Sequence, residues 1–507
     1  MPDFLKSLRI FVLRVAIAGV GLGVLAGASN AAPDWGIMEM RSDLKSLTDR
    51  LNESGLERGE SVRVLTRGLD WPGPRKPERA LARFFEPAED AELGWSDIRY
   101  SLAALNQAYG AKDSFDILQA NRRGENLSLT VNSGVATIAQ LRARLTHRHL
   151  GLDFGTQDEV LRTPIIVQPG ATLRLGPGDV LKLSRRDGAF ILNFGRLEIF
   201  GSNVSATEDV SPFNEEFVPF IASVGTGTVQ VSGAVFSGLG FGKTAKFSGF
   251  SMISHPTMRP NARSVIENSR FEGLVTLAIV GQMHVELRDN RLFDMRRNPL
   301  LISRSPDALV AGNLFAGPSP TNAIRVSNGS DGVRIVDNII LEGSRAGMLI
   351  SSGSDRVSVR GNLIWKRNGG GVKLQDVECG RVVENIILDD RQKGVEVRSS
   401  MHTLVSGNRI VGNKGAGVMV AAQMPTNVTY VTDNLLRENG AGLYTASGAG
   451  LALRGNDMSN QLPRLLDGDI TQQFRAIVTD LRGEVPIVLD GGGVSAMVRT
   501  SPSECDP

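Results

Sequence analysis

Asparagine recurs along this 507-residue chain at intervals of 22 to 26 residues. Each asparagine opens a short apolar run, and stretches of alternating apolar and polar residues lie before and after that run. The recurring residues are Asn268, Asn290, Asn313, Asn338, Asn362, Asn385, Asn408, Asn434 and Asn456. A fixed period of this length, built from short alternating segments, indicates a stack of similar coils.

The pattern within one repeat predicts short β-strands, because alternation with period 2 is typical of half-buried strands. Three such strands per coil, with Gly and Asn at the corners, form a parallel β-helix. Leucine-rich repeats share the period, but they carry several leucines at fixed offsets and a helix in each repeat, and neither is visible here. A buried Asn at one corner would hydrogen-bond its neighbours above and below, and Asn tolerates the left-handed backbone of such a corner.

The segments around the regular repeats define the predicted domains. Less regular strand patterns precede and follow the repeats, so we assign residues 161–507 to the β-helix. Residues 33–160 contain helical periodicity, and we expect them to cap the stack, whose end coils would otherwise expose unpaired edges. The expected fold class is therefore mainly β, a parallel β-helix with a small α/β N-terminal part.

Residues 1–32 have the three parts of a secretory signal peptide: a basic start, an apolar run and small residues before the cleavage site. The alternative is an uncleaved membrane anchor, but the apolar run of 15–28 is short for a span that needs ~20 residues. We expect an exported protein with no membrane span after signal removal. Cys379 and Cys505 could pair in an oxidising compartment, and the sequence leaves this pairing open.

The charge balance excludes some classes of partner. Removing the predicted signal peptide takes away Lys6, Arg9, Arg14 and Asp3, which leaves 53 cationic and 53 anionic side chains. A nucleic-acid-binding protein would normally carry a basic excess. We therefore expect no nucleic-acid partner.

The second strand of each coil allows an outer surface to be predicted, because successive strand residues point to opposite faces. Its apolar alternates point inward, and the remaining residues form two outward columns. The first column holds Leu301, Arg325, Leu349, Lys373, Glu396, Met419 and Tyr444. The second column holds Ser303, Ser327, Ser351, Gln375, Arg398 and Ala421.

Cations, a carboxylate, an amide and a phenol on one face indicate a groove for an acidic sugar polymer, by analogy with other long β-helix faces. Arg and Lys would neutralise uronate carboxylates there, while Glu396 or Tyr444 handled protons. The candidate catalytic residues are Lys373, Glu396, Arg398 and Tyr444. The candidate substrate-binding residues are Arg325, Gln375, His255, Ser303 and Arg304. The alternative interpretation is a solvated sheet surface whose charges pair across coils.

Known motifs for metals and cofactors are missing from the sequence. Apart from one HxH pair, His147 and His149, it contains no CxxC or EF-hand pattern, no nucleophile elbow and no phosphate-binding loop. We predict no metal and no cofactor, and we interpret the glycine-rich segment 369–371 as a coil corner.

From about residue 126 onward the chain resembles the periplasmic mannuronan (alginate) C5-epimerases. The resemblance is carried by the array of asparagines and by four segments in the order that the family has them. These are LTVNSGVATIAQL (129–141), PIIVQPGATL (164–173), GAFILNFGRL (188–197) and SGLGFGKT (237–244). The resemblance implies a right-handed β-helix, a periplasmic location and a substrate of β-1,4-linked mannuronate.

The family's catalytic motif does not carry over to this sequence. The resemblance implies an Asp-Pro-His-Asp run on the second strand, whose His abstracts the C5 proton while a nearby Arg neutralises the carboxylate. That run falls on 301–304, which reads Leu-Ile-Ser-Arg, and the position of the Arg falls on Asn328. C5–H is a weak acid, so without a base and a neutralising cation this chemistry would be very slow.

Three functions are compatible with this sequence. The first is an enzyme that modifies an acidic exopolysaccharide through a displaced site, either a C5-epimerase or a β-eliminating lyase. The second is a non-catalytic protein that binds the polymer or guides it during export, within an exopolysaccharide synthesis or export complex. The third is a structural envelope protein whose mixed-charge face is only solvated surface.

Overall fold

The computed structural model describes most of the chain. The described residues are 35–53, 57–71, 90–109, 114–122, 125–146, 160–242, 244–448, 450–490 and 493–496, with Pro502 and Cys505. The predicted signal peptide lies outside the described residues. No helix in the described ranges is long and apolar enough to cross a membrane.

Three long sheets, which we call sheets I, II and III, make up the main body. The chain passes from a strand of sheet II to one of sheet III and then to one of sheet I, and repeats this order coil after coil. Within the stack each strand pairs in parallel with the equivalent strand of the next coil, as Ile324–Ser327 does with Met348–Ser351. Antiparallel pairs occur at the ends of the sheets, where Glu92–Asp97 pairs with Leu127–Ser133 and Ile487–Asp490 pairs with Gly450–Arg454 and Gly493–Ala496. The predicted right-handed parallel β-helix is confirmed.

The strands are short, and most have three to five residues. Sheet I contains Glu92–Asp97, Leu127–Ser133, Ile165–Val167, Ile191–Asn193, Ile221–Val224, Gly249–Ile253, Thr276–Val280, Leu300–Ser303, Ile324–Ser327, Met348–Ser351, Val372–Gln375, Val395–Arg398, Ala416–Ala421, Ala441–Ala446 and Leu466–Gly468. Sheet II contains Val135–Thr137, Thr172–Leu175, Arg196–Phe200, Thr228–Ser232, Val265–Glu267, Glu286–Arg288, Leu309–Ala311, Arg334–Val336, Ser358–Arg360, Arg381–Val383, Thr403–Ser406, Val428–Thr432, Gly450–Arg454, Ile487–Asp490 and Gly493–Ala496. Sheet III contains Val160–Leu161, Val180–Leu183, Asn203–Ala206, Val235–Ser237, Arg270–Glu272, Arg291–Phe293, Leu314–Ala316, Ile339–Leu341, Leu363–Trp365, Ile386–Leu388, Arg409–Val411 and Leu435–Arg437.

The helices are few and lie mainly in the N-terminal part. They are α1 (Trp35–Glu53), α2 (Val62–Leu65), α3 (Ile98–Tyr109), α4 (Ser114–Ala120), α5 (Ile138–Thr146) and α6 (Phe474–Val478). Short 3₁₀ segments occupy Glu57–Gly59, Ala245–Phe247 and Asp469–Gln473. The strand Leu127–Ser133 lies before residue 160 and already pairs with Ile165–Val167 of sheet I. The division into two domains at residue 160 stays a prediction.

A ladder of buried asparagines fixes the corner between sheets II and III. The side-chain Nδ2 of each Asn donates to Oδ1 of the Asn one coil further, at 2.9 to 3.0 Å, from Asn290 as far as Asn456. Each buried amide is satisfied within the stack, so the ladder holds adjacent coils in register.

Two details of the predicted corner were wrong. Asn268 is exposed, and its neighbour Ser269 takes the first ladder position by donating its backbone N–H to Oδ1 of Asn290 at 3.0 Å. The left-handed residue is the one before each ladder Asn, such as Asp337 with φ 53°. The ladder asparagines therefore serve as hydrogen-bonding groups, and their neighbours make the turn.

Helices α1 and α2 pack on the outer face of sheet III. Leu44 and Leu47 of α1 contact outward residues of that sheet, including Leu363 and Trp365, in one buried cluster. Arg41 of α1 also reaches the solenoid, where its Nη2 lies 2.8 Å from Oδ1 of Asp389. This side of the solenoid is therefore covered.

A disulfide joins Cys379 to Cys505, with the two Cα atoms 5.3 Å apart. The sequence left this pairing open. The bond attaches the C-terminal tail to the coil that begins with Arg381–Val383, where Nη2 of Arg381 donates to the carbonyl oxygen of Cys505 at 3.2 Å.

Candidate functional site

The outer face of sheet I carries the first predicted column in the expected order. Cα pairing places Arg325 beside Leu349, Leu349 beside Lys373, and Lys373 beside Glu396. Met419 and then Tyr444 follow. The inward alternates, such as Ile324 and Val326, are fully buried. The strand pairing confirms the order of the first column, whereas Ser303, Ser327, Ser351 and Ala421 of the second column are buried. The roles of all these residues stay predictions.

Three depressions lie end to end along this face, which we call the open groove. The N-terminal depression, of about 220 Å³, is lined by Arg325, Ser303 and Asn328 among others. The middle one, of about 410 Å³, lies over Lys373, and the C-terminal one, of about 260 Å³, lies over Tyr444. Together they offer an elongated surface that fits an extended polymer rather than a compact ligand.

Cations outnumber carboxylates along the open groove. The lining cations are Arg297, Arg325, Arg345, Lys373, Lys393, Lys414 and Arg464. The lining carboxylates are Glu396 and Asp467. Near-zero net charge of the whole chain therefore coexists with a locally cationic groove.

Glu396 lies between two lysines in the middle depression. Its Oε1 is 3.2 Å from Nζ of Lys373, and its Oε2 is 3.6 Å from Nζ of Lys393. Its side chain is 13% exposed, against about 30% for each lysine. One carboxylate thus engages both cations, and any anion that bound here would compete with Glu396 for them.

The other predicted catalytic residues are less closely grouped. Arg398 is exposed and pairs by Cα with Gln375, but it does not line the three depressions. Tyr444 lies two coils beyond Glu396, which is about 10 Å at the usual strand spacing. Lys373 and Glu396 are therefore in contact, and Tyr444 belongs to a different depression.

Tyr444 packs against a small apolar cluster on the outer face. Met419 and three alanines form this cluster, and Tyr444 is half-buried against it. The phenol shares its depression with Lys393, Lys414 and Asp467. An aromatic ring beside an apolar surface can contact the C–H face of a sugar ring, while the surrounding charges bind its polar groups.

The predicted substrate-binding residues divide into two sets. Ser303 and Arg325 line the N-terminal depression, where Oγ of Ser303 accepts a 2.9 Å hydrogen bond from Nδ2 of Asn328. Gln375 lines the middle depression. Arg304 is exposed just after its strand and does not line the depressions.

His255 lies apart from the open groove. It is exposed in the loop after Gly249–Ile253, and its Nδ1 is 2.8 Å from Oγ1 of Thr257. Among the described residues, no histidine lines any of the three depressions.

One group of possible metal ligands occurs in the described part of the chain: Cys379, His402 and Cys505. Both cysteine sulfurs are used by the disulfide. The thiolates that would hold a metal are therefore absent at this place.

Sequence reasoning missed the cations at the corners before three strands of sheet I. Arg345, Lys393 and Lys414 lie in these corners, outside the alternating strand pattern from which the columns were derived. The detectable feature was a basic residue two to four positions before the strand in several coils. We call this set of corner residues the rim.

Comparison with known proteins supports the resemblance found in the sequence. Residues 275–430 and 322–462 match a family model described as right handed beta helix region. A mannuronan C5-epimerase of Pseudomonas putida is 25% identical over 276 residues, which cover 51% of this chain and 52% of the relative. One from Pseudomonas aeruginosa is 26% identical over 314 residues, with 57% and 56% covered. The chain thus spans about half the length of the curated relatives it matches.

A crystal structure of the periplasmic alginate epimerase AlgG shares the fold. It superimposes with a TM-score of 0.62 and 16% sequence identity, and the match covers 75% of this chain and 93% of that chain. This structure shows the shared fold, and the curated relatives confirm the resemblance to mannuronan C5-epimerases.

Proposed function

We propose that this chain is an exported β-helix protein that binds an acidic exopolysaccharide along the open groove and modifies its uronate residues. The observation that carries the proposal is the excess of cations over carboxylates along the three depressions. Relatives named mannuronan C5-epimerases support polymannuronate as the polymer. Guanidinium and ammonium groups are the usual partners of carboxylates.

The chemistry that suits this groove begins with removal of a proton next to a carboxylate. A cation must neutralise that carboxylate while a base takes the C5 proton. Lys373 would neutralise the uronate carboxylate, with Arg398 as a further cation beside it. Glu396 or Tyr444 would transfer the protons. Return of a proton gives epimerisation, whereas loss of the C4 substituent gives β-elimination, so both reactions share this first step.

The test is incubation of the purified protein with polymannuronate. Proton NMR would detect guluronate residues, and ultraviolet absorbance would detect the unsaturated ends that a lyase produces. We expect one of these signals, reduced by Lys373→Ala and unchanged by Arg334→Ala, which removes an exposed cation from sheet II instead. No change in either signal on several polyuronates would exclude catalysis.

A second candidate is a non-catalytic protein that binds the polymer or guides it during export. The arrangement of Glu396 favours it, because this carboxylate is held by two lysines and is poorly placed to act as a free base. This candidate predicts salt-sensitive polymer binding, weakened by Lys373→Ala or Arg398→Ala, without any product. Isothermal titration calorimetry beside the NMR assay separates the two candidates.

Export to the periplasm is part of the proposal. The predicted signal peptide, the disulfide between Cys379 and Cys505 and the periplasmic structural relative all support it, because disulfides persist in oxidising compartments. Fractionation of cells should place the protein in the periplasm, and deletion of residues 2–32 should leave it in the cytoplasm. A cytoplasmic full-length protein would contradict the proposal.

A further inference from the structure

Over four successive coils, cations alternate between the outward column and the rim of the open groove. Arg325 stands in the column, Arg345 in the rim of the next coil, Lys373 in the column of the third and Lys393 in the rim of the fourth. All four line the N-terminal and middle depressions. Four successive coils thus each place one cation in the lining of the open groove, and the cation changes side from one coil to the next.

The fold sets the distances in this zigzag. Adjacent coils are ~4.8 Å apart, so two cations on the same side are separated by about 10 Å. Arg325 and Lys373 have this relation because both are Cα partners of Leu349. The strand pairing therefore holds the spacing of the column cations.

The opposite edge of sheet I carries more carboxylates than cations: Asp307, Asp331, Asp355, Asp376 and Glu378 against Arg304, Arg356 and Arg398. Asp331 and Asp355 lie in the corners between sheets I and II, where each accepts a backbone N–H from the next coil, at 3.0 and 2.8 Å. An acidic polymer is repelled from that edge and drawn towards the column and the rim. The zigzag therefore lies on the side of the face where such a polymer would bind.

An extended β-1,4-linked uronan matches this pattern. In a two-fold ribbon of such a chain, the rise per sugar is close to the spacing of adjacent coils, and successive carboxylates project to opposite sides. We propose that the open groove binds a two-fold polyuronate ribbon in register, with one sugar per coil and its carboxylates placed alternately on the column cations and the rim cations. This inference rests on the proposed function, since it assigns the binding geometry of that polymer.

A charge-conserving swap tests the register. Leu349→Lys combined with Lys373→Ala moves the column cation by one coil and leaves the net charge unchanged. We expect the swap to bind a mannuronate oligomer as weakly as Lys373→Ala alone, roughly threefold below the unmodified protein. Titration calorimetry at low salt gives the affinities, and thermal melting shows whether each variant folds.

A second swap covers the case in which the first variant does not fold. Leu301→Arg combined with Arg325→Ala moves the other column cation by one coil, because Leu301 and Arg325 are direct Cα partners. We expect this variant to lose affinity for the mannuronate oligomer to the same extent as the first swap. The α-1,4-linked polygalacturonate, a three-fold chain of the same charge, should bind more weakly than polymannuronate to the unmodified protein.

The outcomes separate this inference from the proposed function. If folded swap variants bind as well as the unmodified protein, or polygalacturonate binds equally well, the register is wrong while polyuronate binding stands. If the unmodified protein binds no acidic polymer, the proposed function fails and the register fails with it.

Discussion

Sheets I and III are built from the same coils, yet their outer faces differ in composition. The outward residues of sheet III, such as Leu363 and Trp365, are apolar and buried under α1 and α2. The N-terminal strands of sheet I are covered by α3 and α4, where Ile166 and Leu192 are buried. From Leu300 onward its outer face carries Arg325 and Lys373 and stays open. The difference shows that the inward residues specify the β-helix, whereas the outward residues decide whether a face packs against protein or is available to a ligand.

The strand sequences already contain this difference. Strands of sheet III such as Ile339–Leu341 are apolar at every position, which indicates burial on both faces. Strands of sheet I such as Val372–Gln375 alternate, which indicates one exposed face. A mutation of similar size on each face should therefore have unequal effects.

Truncation on the covered face should give the largest effect on stability. Leu363→Ala leaves a cavity between sheet III and the cluster containing Leu44, because Leu363 is fully buried there. We expect the free energy of unfolding to fall by about 2 to 5 kcal/mol. Denaturant titration followed by circular dichroism measures it.

The matched substitution on the open face is Leu349→Ala. Leu349 is only half-buried, so its truncation should cost less than about 1 kcal/mol. Equal losses for the two variants would contradict the assignment of sheet III as the packed face and sheet I as the open one.

The sequence predicted the inner architecture better than the outer one. Alternation with period 2 yielded the columns because the strand geometry is regular, and the Asn repeat located one corner. The cover on sheet III was not predicted, because α1 is more than 200 residues away in sequence from most of the strands it covers. The rim cations were missed because side chains in the corners do not follow the regular alternation of the strands. Arg345 and Lys393, for example, lie at different distances in sequence before their strands.

The corner where the covered face meets the open face contains a second ladder with one carboxyl in it. Asp390 is fully buried, and its Oδ1 accepts the backbone N–H of Arg367 at 2.7 Å. Its Oδ2 is without a partner and lies against Gly371, as Nδ2 of Asn413 lies against Gly394 in the next coil. Burial raises the pKa of Asp390 well above its usual value, although Arg367 acts in the opposite direction. Asp390 is therefore protonated and uncharged, and it occupies the ladder position that an asparagine amide such as that of Asn413 occupies in the next coil.

Asp390→Asn should therefore stabilise the protein at neutral and alkaline pH. Because the folded-state pKa is raised, the neutral acid stabilises the fold at low pH, and this contribution is lost as pH rises through that pKa. The gain from Asn should be about 1 to 3 kcal/mol above that pKa and small below pH ~4. Denaturant titrations across pH measure it.

The reverse substitution is the control for this corner. Asn413→Asp puts a carboxyl into an amide position whose Nδ2 donates to Oδ1 of Asn439 at 2.9 Å, and it should destabilise the protein increasingly as pH rises. If Asp390→Asn gave the same stability difference at every pH, the carboxyl would not be neutral in the folded protein.

The ion pair that attaches α1 to the solenoid should contribute less. Arg41 contacts Asp389 at 2.8 Å and Glu438 at 3.0 Å, and all three side chains are partly exposed. Arg41→Ala should lower the free energy of unfolding by about 1 kcal/mol. Lys45→Ala, an exposed cation on the same helix, should have almost no effect. Equal effects would mean that apolar packing alone holds α1 on sheet III.

The smallest effect concerns affinity on the open face. Glu396 pairs with both Lys373 and Lys393 when no polymer is bound, so Glu396→Gln removes a competing carboxylate and should tighten polyuronate binding about threefold at low salt. The gain should shrink as salt screens the charges. Glu384→Gln makes the same change beside sheet II, where Glu384 pairs with Arg360, and should leave binding unchanged. Weaker binding by Glu396→Gln would show that Glu396 itself contacts the polymer. The sign of the change in affinity therefore distinguishes a carboxylate that binds the polymer from one that only pairs with the lysines of the groove.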